Sequence, residues 1–222
     1  MAARVAVVLS GCGYLDGAEI HESVLTLYFL ERAGAEIRCF APDKKQMHVV
    51  DHLTGEPTGE TRNVLVESAR IARGQIKDIK QARMAELDAL VLPGGFGVAK
   101  NLSEFAVKGT AGELDADLVR LVGEAAAQNK PIVAICISPA VLAVALQRSG
   151  KSATLTIGND KATADAVRGT GCTHAECPVD QAIVDEKNKI ISTPAYMLGP
   201  GPKAVGAGIE RAILKLMSWL QR

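Results

Sequence analysis

The sequence predicts an α/β domain: a mainly parallel central sheet with helices on both faces. Three observations carry this. Short apolar runs rich in β-branched residues, such as Arg4–Leu9, Ala89–Leu92 and Ile132–Ile135, alternate with stretches of helical periodicity. The first forty residues already hold a strand–helix–strand unit, the crossover that parallel neighbours require. Finally, three strand-like runs lead into unusual chemistry, at Ser10–Asp16, Pro93–Gly97 and Cys136–Pro139. In an open parallel sheet such ends gather at one rim, where ligands bind.

Taken in order, Arg4–Leu9 (RVAVVL) reads as a buried strand, and Gly17–Arg32 as a helix. In that helix Ile20, Val24, Leu27, Tyr28 and Leu30 fall near helical spacing, Glu19 and Glu22 favour the start, and Ala33-Gly34 ends it. Glu36–Ala41 is a second strand. Val64–Ala72 is helical after a polar loop, Ala89–Leu92 is a strand entering Pro93-Gly94-Gly95-Phe96-Gly97, and Asp115–Gln128 is an amphipathic helix. Ile132–Ile135 follows the breaker Asn129-Lys130-Pro131 and reads as a fully buried strand. After Cys136, Pro139 suits a first helical turn and the residues to Leu146 continue the helix. Thr154–Ile157, Ala182–Val184 and Ile190–Thr193 have β character, with a hairpin turn at Asp185–Asn188, and Val205–Leu220 is a closing helix bearing Trp219.

Bulk properties narrow the function. The 222 residues, 48% of them hydrophobic, suit one domain spanning 1–222. Lysine plus arginine (25) equal aspartate plus glutamate (25), so no electrostatic footprint for nucleic acid or an anionic membrane is present. No apolar run reaches the roughly 20 residues of a membrane span, and Met1–Ser10 lacks a secretory core, so the expectation is a soluble, cytoplasmic protein. Five scattered cysteines argue against a disulfide framework and for a reducing compartment.

Cys136 is the leading candidate residue. It stands where a strand turns sharply into a helix, a nucleophile-elbow position beside helix-terminal N–H groups. The bland alternative is a small buried hydrophobe. Gly11-Cys12-Gly13-Tyr14-Leu15-Asp16 looks like a dinucleotide fingerprint, but Asp16 occupies the place of the third glycine and sets a carboxylate where pyrophosphate would lie. The Gly94-Gly95-Phe96-Gly97 turn lacks the Lys-Ser/Thr of a P-loop, yet leaves N–H groups free to face an oxyanion. Glu22, one turn into its helix, is either a favourable first-turn charge or a proton acceptor for Cys136, and His21 is rotated about 100° from it. Cys172, His174 and Cys177 lack a fourth zinc ligand at standard spacing, so no metal is expected.

With these features assembled, the chain resembles the class I glutamine amidotransferase-like superfamily in its PfpI-type branch, and within it the ElbB-type, glyoxalase-like proteins linked to isoprenoid production. The resemblance rests on SGCGYLDGAEIHE (10–22), FAPDKKQMHVVDHLTGE (40–56), TRNVLVESARIARG (61–74), LPGGFGVAKNLSEFA (92–106), CISPA (136–140), CPVD (177–180) and TPAYML (193–198). It implies a flavodoxin-like three-layer α/β/α sandwich, Cys136 as nucleophile with Glu22 on its thiol, oxyanion amides at Gly95 and Ile137, and a homodimer. Gly94, Asn101, His21 and His174 are further pocket candidates. Many superfamily members carry a histidine directly after the nucleophile or about twenty residues beyond it. Here Ile137 and Ala153–Asp160 supply none.

The expected chemistry is therefore cofactor-free attack of Cys136 on a small aldehyde or dicarbonyl such as glyoxal, with Glu22 moving the proton and a 2-hydroxy acid as product. The competing expectations are a redox-sensing or partner-binding protein with a reactive Cys136, and a deglycase acting on glycated adducts.

Overall fold

In the computed structural model, which describes residues 2–220, the chain runs β1 (Arg4–Val8), α1 (Ile20–Arg32), β2 (Glu36–Ala41), α2 (Val64–Ile71), β3 (Ile76–Asp78), β4 (Ala89–Leu92), α3 (Phe96–Lys100), α4 (Phe105–Lys108), α5 (Ala116–Ala127), β5 (Ile132–Ile135), α6 (Ser138–Arg148), β6 (Thr154–Leu155), α7 (Lys161–Gly169), β7 (Thr173–His174), β8 (Ile183–Asp185), β9 (Ile190–Thr193) and α8 (Pro202–Leu220). The sheet order is β3-β2-β1-β4-β5-β9-β8. All neighbours are parallel except the edge strand β8, which pairs antiparallel with β9.

Strand alternation divides the apolar residues between two cores. Ala6, Val8, Leu90, Leu92, Ile132 and Ala134 pack under α5, α6 and α7. Val5, Val7, Val91, Val133 and Ile135 face the other way, toward Leu30 of α1 and Val205, Ile209 and Ile213 of α8. Because both faces of β1, β4 and β5 are covered, their sequences are continuous apolar runs. The result is a flavodoxin-like three-layer sandwich.

The differences from the sequence reading have local causes. Helix α1 begins at Ile20, not Gly17, because Glu19 is its N-cap: the carboxylate accepts the Glu22 amide at 2.6 Å. Gly17 is held in the preceding loop, where an added Cβ would sit 2.3 Å from the Cys12 nitrogen. The glycine turn after β4 winds into α3. Thr154–Ile157 is strand only over Thr154–Leu155, and it pairs with β7 in a separate two-stranded sheet. The Asp185–Asn188 turn is present, closed by the Asn188 amide donating to Asp185 Oδ1 at 3.0 Å.

Strands β1, β4 and β5 are adjacent and parallel, so their carboxyl ends and the three unusual segments share one rim. That rim carries the candidate site.

Candidate active site

Cys136 closes β5, and its backbone is left-handed, with φ 64°. A non-glycine residue holds this conformation at a cost of about 1 kcal/mol, so its surroundings must enforce it. Two bonds do so. The Cys136 amide donates to the Thr193 carbonyl at 2.9 Å, extending the β5–β9 pairing by one residue, and Ser138 Oγ donates to the Pro93 carbonyl at 2.8 Å, tying the elbow to the turn after β4.

Gly94 and Gly95 are required by close approach. A Cβ at Gly94 would lie 2.4 Å from Cys136 Cβ and 2.5 Å from Glu22 Oε2. Gly95 has φ 96°, and a Cβ there would meet the Gly17 carbonyl at 2.4 Å. The turn is laced to the segment before α1: the Glu19 amide donates to Gly94 O at 2.9 Å, Phe96 N to Tyr14 O at 2.8 Å and Gly97 N to Gly17 O at 2.8 Å. The two glycines thereby leave a gap between α1 and the elbow that the turn itself does not fill.

Glu22 fills that gap and has no exposed surface. The Gly94 amide donates to its Oε2 at 3.0 Å and the Tyr196 amide to its Oε1 at 3.1 Å. Cys136 stands next to the same carboxyl, with its Cβ and Glu22 Oε2 both against Gly94. Burial raises the Glu22 pKa from 4.5 to about 7, with the negative charge of Glu19 adding to the shift, while the Tyr196 amide, the thiol and the Gly94 amide oppose it.

Cys136 is 7% exposed. Burial, and then the Glu22 charge, hold its thiol well above the ordinary range, against the amides of Gly95 and Ile137, which face the sulfur and favour the thiolate. The helix-terminal position alone suggested an easily ionised cysteine; desolvation and a carboxylate neighbour reverse that direction. Burial thus keeps Cys136 as the thiol at neutral pH, next to a carboxyl whose own pKa is raised to about 7 and below the two backbone amides that face the sulfur.

The remaining candidates scatter. His21 is exposed, and its Nδ1 lies 2.7 Å from Tyr196 Oη. Asn101 is buried, and all its bonds hold loops together: Nδ2 donates to Ser10 O and Asp16 O, both at 2.8 Å, and Oδ1 accepts the Met47 amide at 3.0 Å. It is a loop tie and does not line a pocket at the thiol. His174 sits in the small sheet, where Nε2 accepts the Ile157 amide at 3.3 Å; the charges that bear on it are Arg168 and Glu176, not Glu22. Sequence reasoning did not single out Tyr196, Thr193 or Ser138. Tyr196 and Thr193 fall within the TPAYML phrase, but only the fold brings Tyr196, 174 positions downstream, onto Glu22.

Comparison with known proteins agrees with this architecture. The DJ-1/PfpI family model matches residues 4–195. A human protein, "Glutamine amidotransferase-like class 1 domain-containing protein 3, mitochondrial", is 44% identical over 97% of this chain and 83% of its own length. The crystal structure of an isoprenoid biosynthesis protein with an amidotransferase-like domain from Ehrlichia chaffeensis is 42% identical, with a TM-score of 0.92 over 99% of this chain and 100% of the other. Drosophila melanogaster DJ-1beta, 18% identical with a TM-score of 0.58 over 99% of this chain and 91% of its own, shares the fold.

Proposed function

The chain belongs to the DJ-1/PfpI family, and from that membership we propose that it is a cofactor-independent, glyoxalase-like enzyme of the ElbB type that converts glyoxal or a similar small dicarbonyl into a 2-hydroxy acid. The observation that carries the reading is the buried Glu22–Cys136 pair under the Gly95 and Ile137 amides.

In the proposed sequence, Glu22 takes the thiol proton as sulfur adds to one aldehyde carbon, forming a hemithioacetal whose oxygen is held by the two amides and reprotonated. Glu22 then moves a proton from this carbon to its neighbour through an enediol. The first carbon is oxidised to a thioester and the second reduced to an alcohol, with no net electron transfer. Water releases the acid and returns the thiol, so glyoxal plus water gives glycolic acid.

Two features favour this reading over its rivals. A thiol held protonated by burial is a poor peroxide sensor, since oxidation follows thiolate character, but it is well served by an adjacent base. Its 7% exposure suits a two- or three-carbon reactant better than a glycated protein chain. A homodimer goes with the proposal: Ile20, Val24 and Tyr28, spaced four apart along α1, are 44%, 48% and 53% exposed and form an apolar stripe beside the site. A cytoplasmic location also goes with it, although the human relative is described as mitochondrial.

The test is glycolate formation from glyoxal. Cys136→Ala is expected to abolish it, and Glu22→Gln to lower kcat/KM by about 100-fold or more. Undiminished turnover in Cys136→Ala refutes the mechanism.

A further inference from the structure

Tyr196 touches the site twice. Its amide donates to Glu22 Oε1 at 3.1 Å, and its hydroxyl lies 2.7 Å from His21 Nδ1, with the two rings tilted at 43° and their centroids 5.8 Å apart. The segment that carries it, Ala195–Met197, is a single 3-10 turn, and it opens on Ala195 at φ 44°, a left-handed conformation in a residue with a side chain. So short a turn, strained at its first residue, holds its direction only if both ends are fixed. The inner end is fixed by the Thr193 carbonyl, which accepts the Cys136 amide, and by the fully buried Ala195 side chain. At the outer end Met197 packs against both cores, and the Tyr196 ring is tied to His21, the residue before Glu22 on α1.

We propose that the His21–Tyr196 hydrogen bond is a positioning device of the thiol site, clamping the turn after β9 onto α1 so that the Tyr196 amide stays on Glu22 Oε1. His21 and Tyr196 are positioning residues: they act through Glu22, not on the substrate.

The consequence follows from what surrounds Glu22. Its own helix contributes the Glu19 carboxylate, the elbow the Cys136 thiol, the β9 turn the Tyr196 amide and hydroxyl, and the β4 turn the Gly94 amide. Among the groups that ease its ionisation, the Tyr196 amide is the strongest. Releasing the clamp withdraws that donor and leaves Glu22 protonated to higher pH, so at a given pH less of it is ionised and able to accept the thiol proton. The inference rests on Glu22 serving Cys136 as base, but not on glyoxal as substrate.

The experiment is the pH dependence of Cys136 alkylation by iodoacetamide on the full chain, read at Cys136 by peptide mass spectrometry. Tyr196→Phe and His21→Ala each cut the bond, and each is expected to move the acid limb up by about half to one pH unit. The double variant should move it no further than either single one, and His21→Asn, which keeps a hydrogen-bonding group near the Nδ1 position, should restore the wild-type profile. An unmoved limb in both single variants, additive shifts in the double variant, or a His21→Asn profile matching His21→Ala overturns the clamp. Since His21 is exposed, its replacement does not disturb the core, which gives a second cut if Tyr196→Phe folds poorly. Shifted alkylation without glyoxal turnover in the wild type would uphold the clamp and reject the proposed substrate.

Discussion

A carboxyl group with no exposed surface makes the stability of the fold respond to pH. Glu22 binds its proton with a pKa of about 7 in the native state against an ordinary 4.5. As pH rises between these values, the unfolded chain has released the proton while the native one still holds it. Stability from this group is therefore complete below about 4.5, falls through the window and is spent above about 7. The wild type is expected to lose on the order of 3 kcal/mol relative to Glu22→Gln between pH 4.5 and 7.5, measurable by urea unfolding at the two pH values; parallel curves for the two proteins would contradict it. Turnover in the proposed reaction is expected to have the opposite sense, rising with pH as Glu22 becomes able to accept the thiol proton. At this scale the sequence was legible where chemistry and local geometry coincide. Cys136 follows a buried run and precedes a proline, and Glu22 lies in a first helical turn. It was illegible where the partner is distant in the chain: nothing near Tyr196 announces that its amide meets Glu22.

Helices and strands were readable wherever apolar periodicity was long. The runs of β1, β4 and β5 and the faces of α1, α5 and α8 are of this kind. The short elements, β3, α3, α4, α7 and β7, exist through tertiary support. Helix α7, for example, has a local N-cap in Asp160, whose carboxylate accepts the Thr163 amide at 2.8 Å, but its tertiary support is the burial of Ala164 and Val167. The loop elements around the site depend on Asn101, which joins the segment after β1, the segment after β2 and α3 through two buried bonds and one half-buried one. Asn101→Ala leaves two carbonyls and an amide without partners and is expected to destabilise the protein by about 3 kcal/mol. The loss should show as a lower urea midpoint, with protease sensitivity rising first in residues 44–63. An unchanged midpoint would mean that water replaces the amide side chain at no cost.

Across the whole molecule, one sheet order places three chemically distinct strand ends together while leaving the outer face of α1 apolar. If that face seats a second copy, the wild type sediments as a dimer and Val24→Glu or Tyr28→Glu as a monomer; a wild-type monomer at micromolar concentration rejects the assembly. The convergence of the strand ends was legible because parallel order follows from the crossovers. The stripe was not, since Ile20, Val24 and Tyr28 are as apolar as the residues facing the core. The left-handed backbone at Cys136 and the missing side chain at Gly94 have a bearing on protein engineering. The Cys136–Glu22 pair is spaced by main chain, so grafting a cysteine and a glutamate alone onto another scaffold would not reproduce their arrangement. The smallest portable unit is the β4 turn, the β5 elbow and the start of α1, moved as one piece.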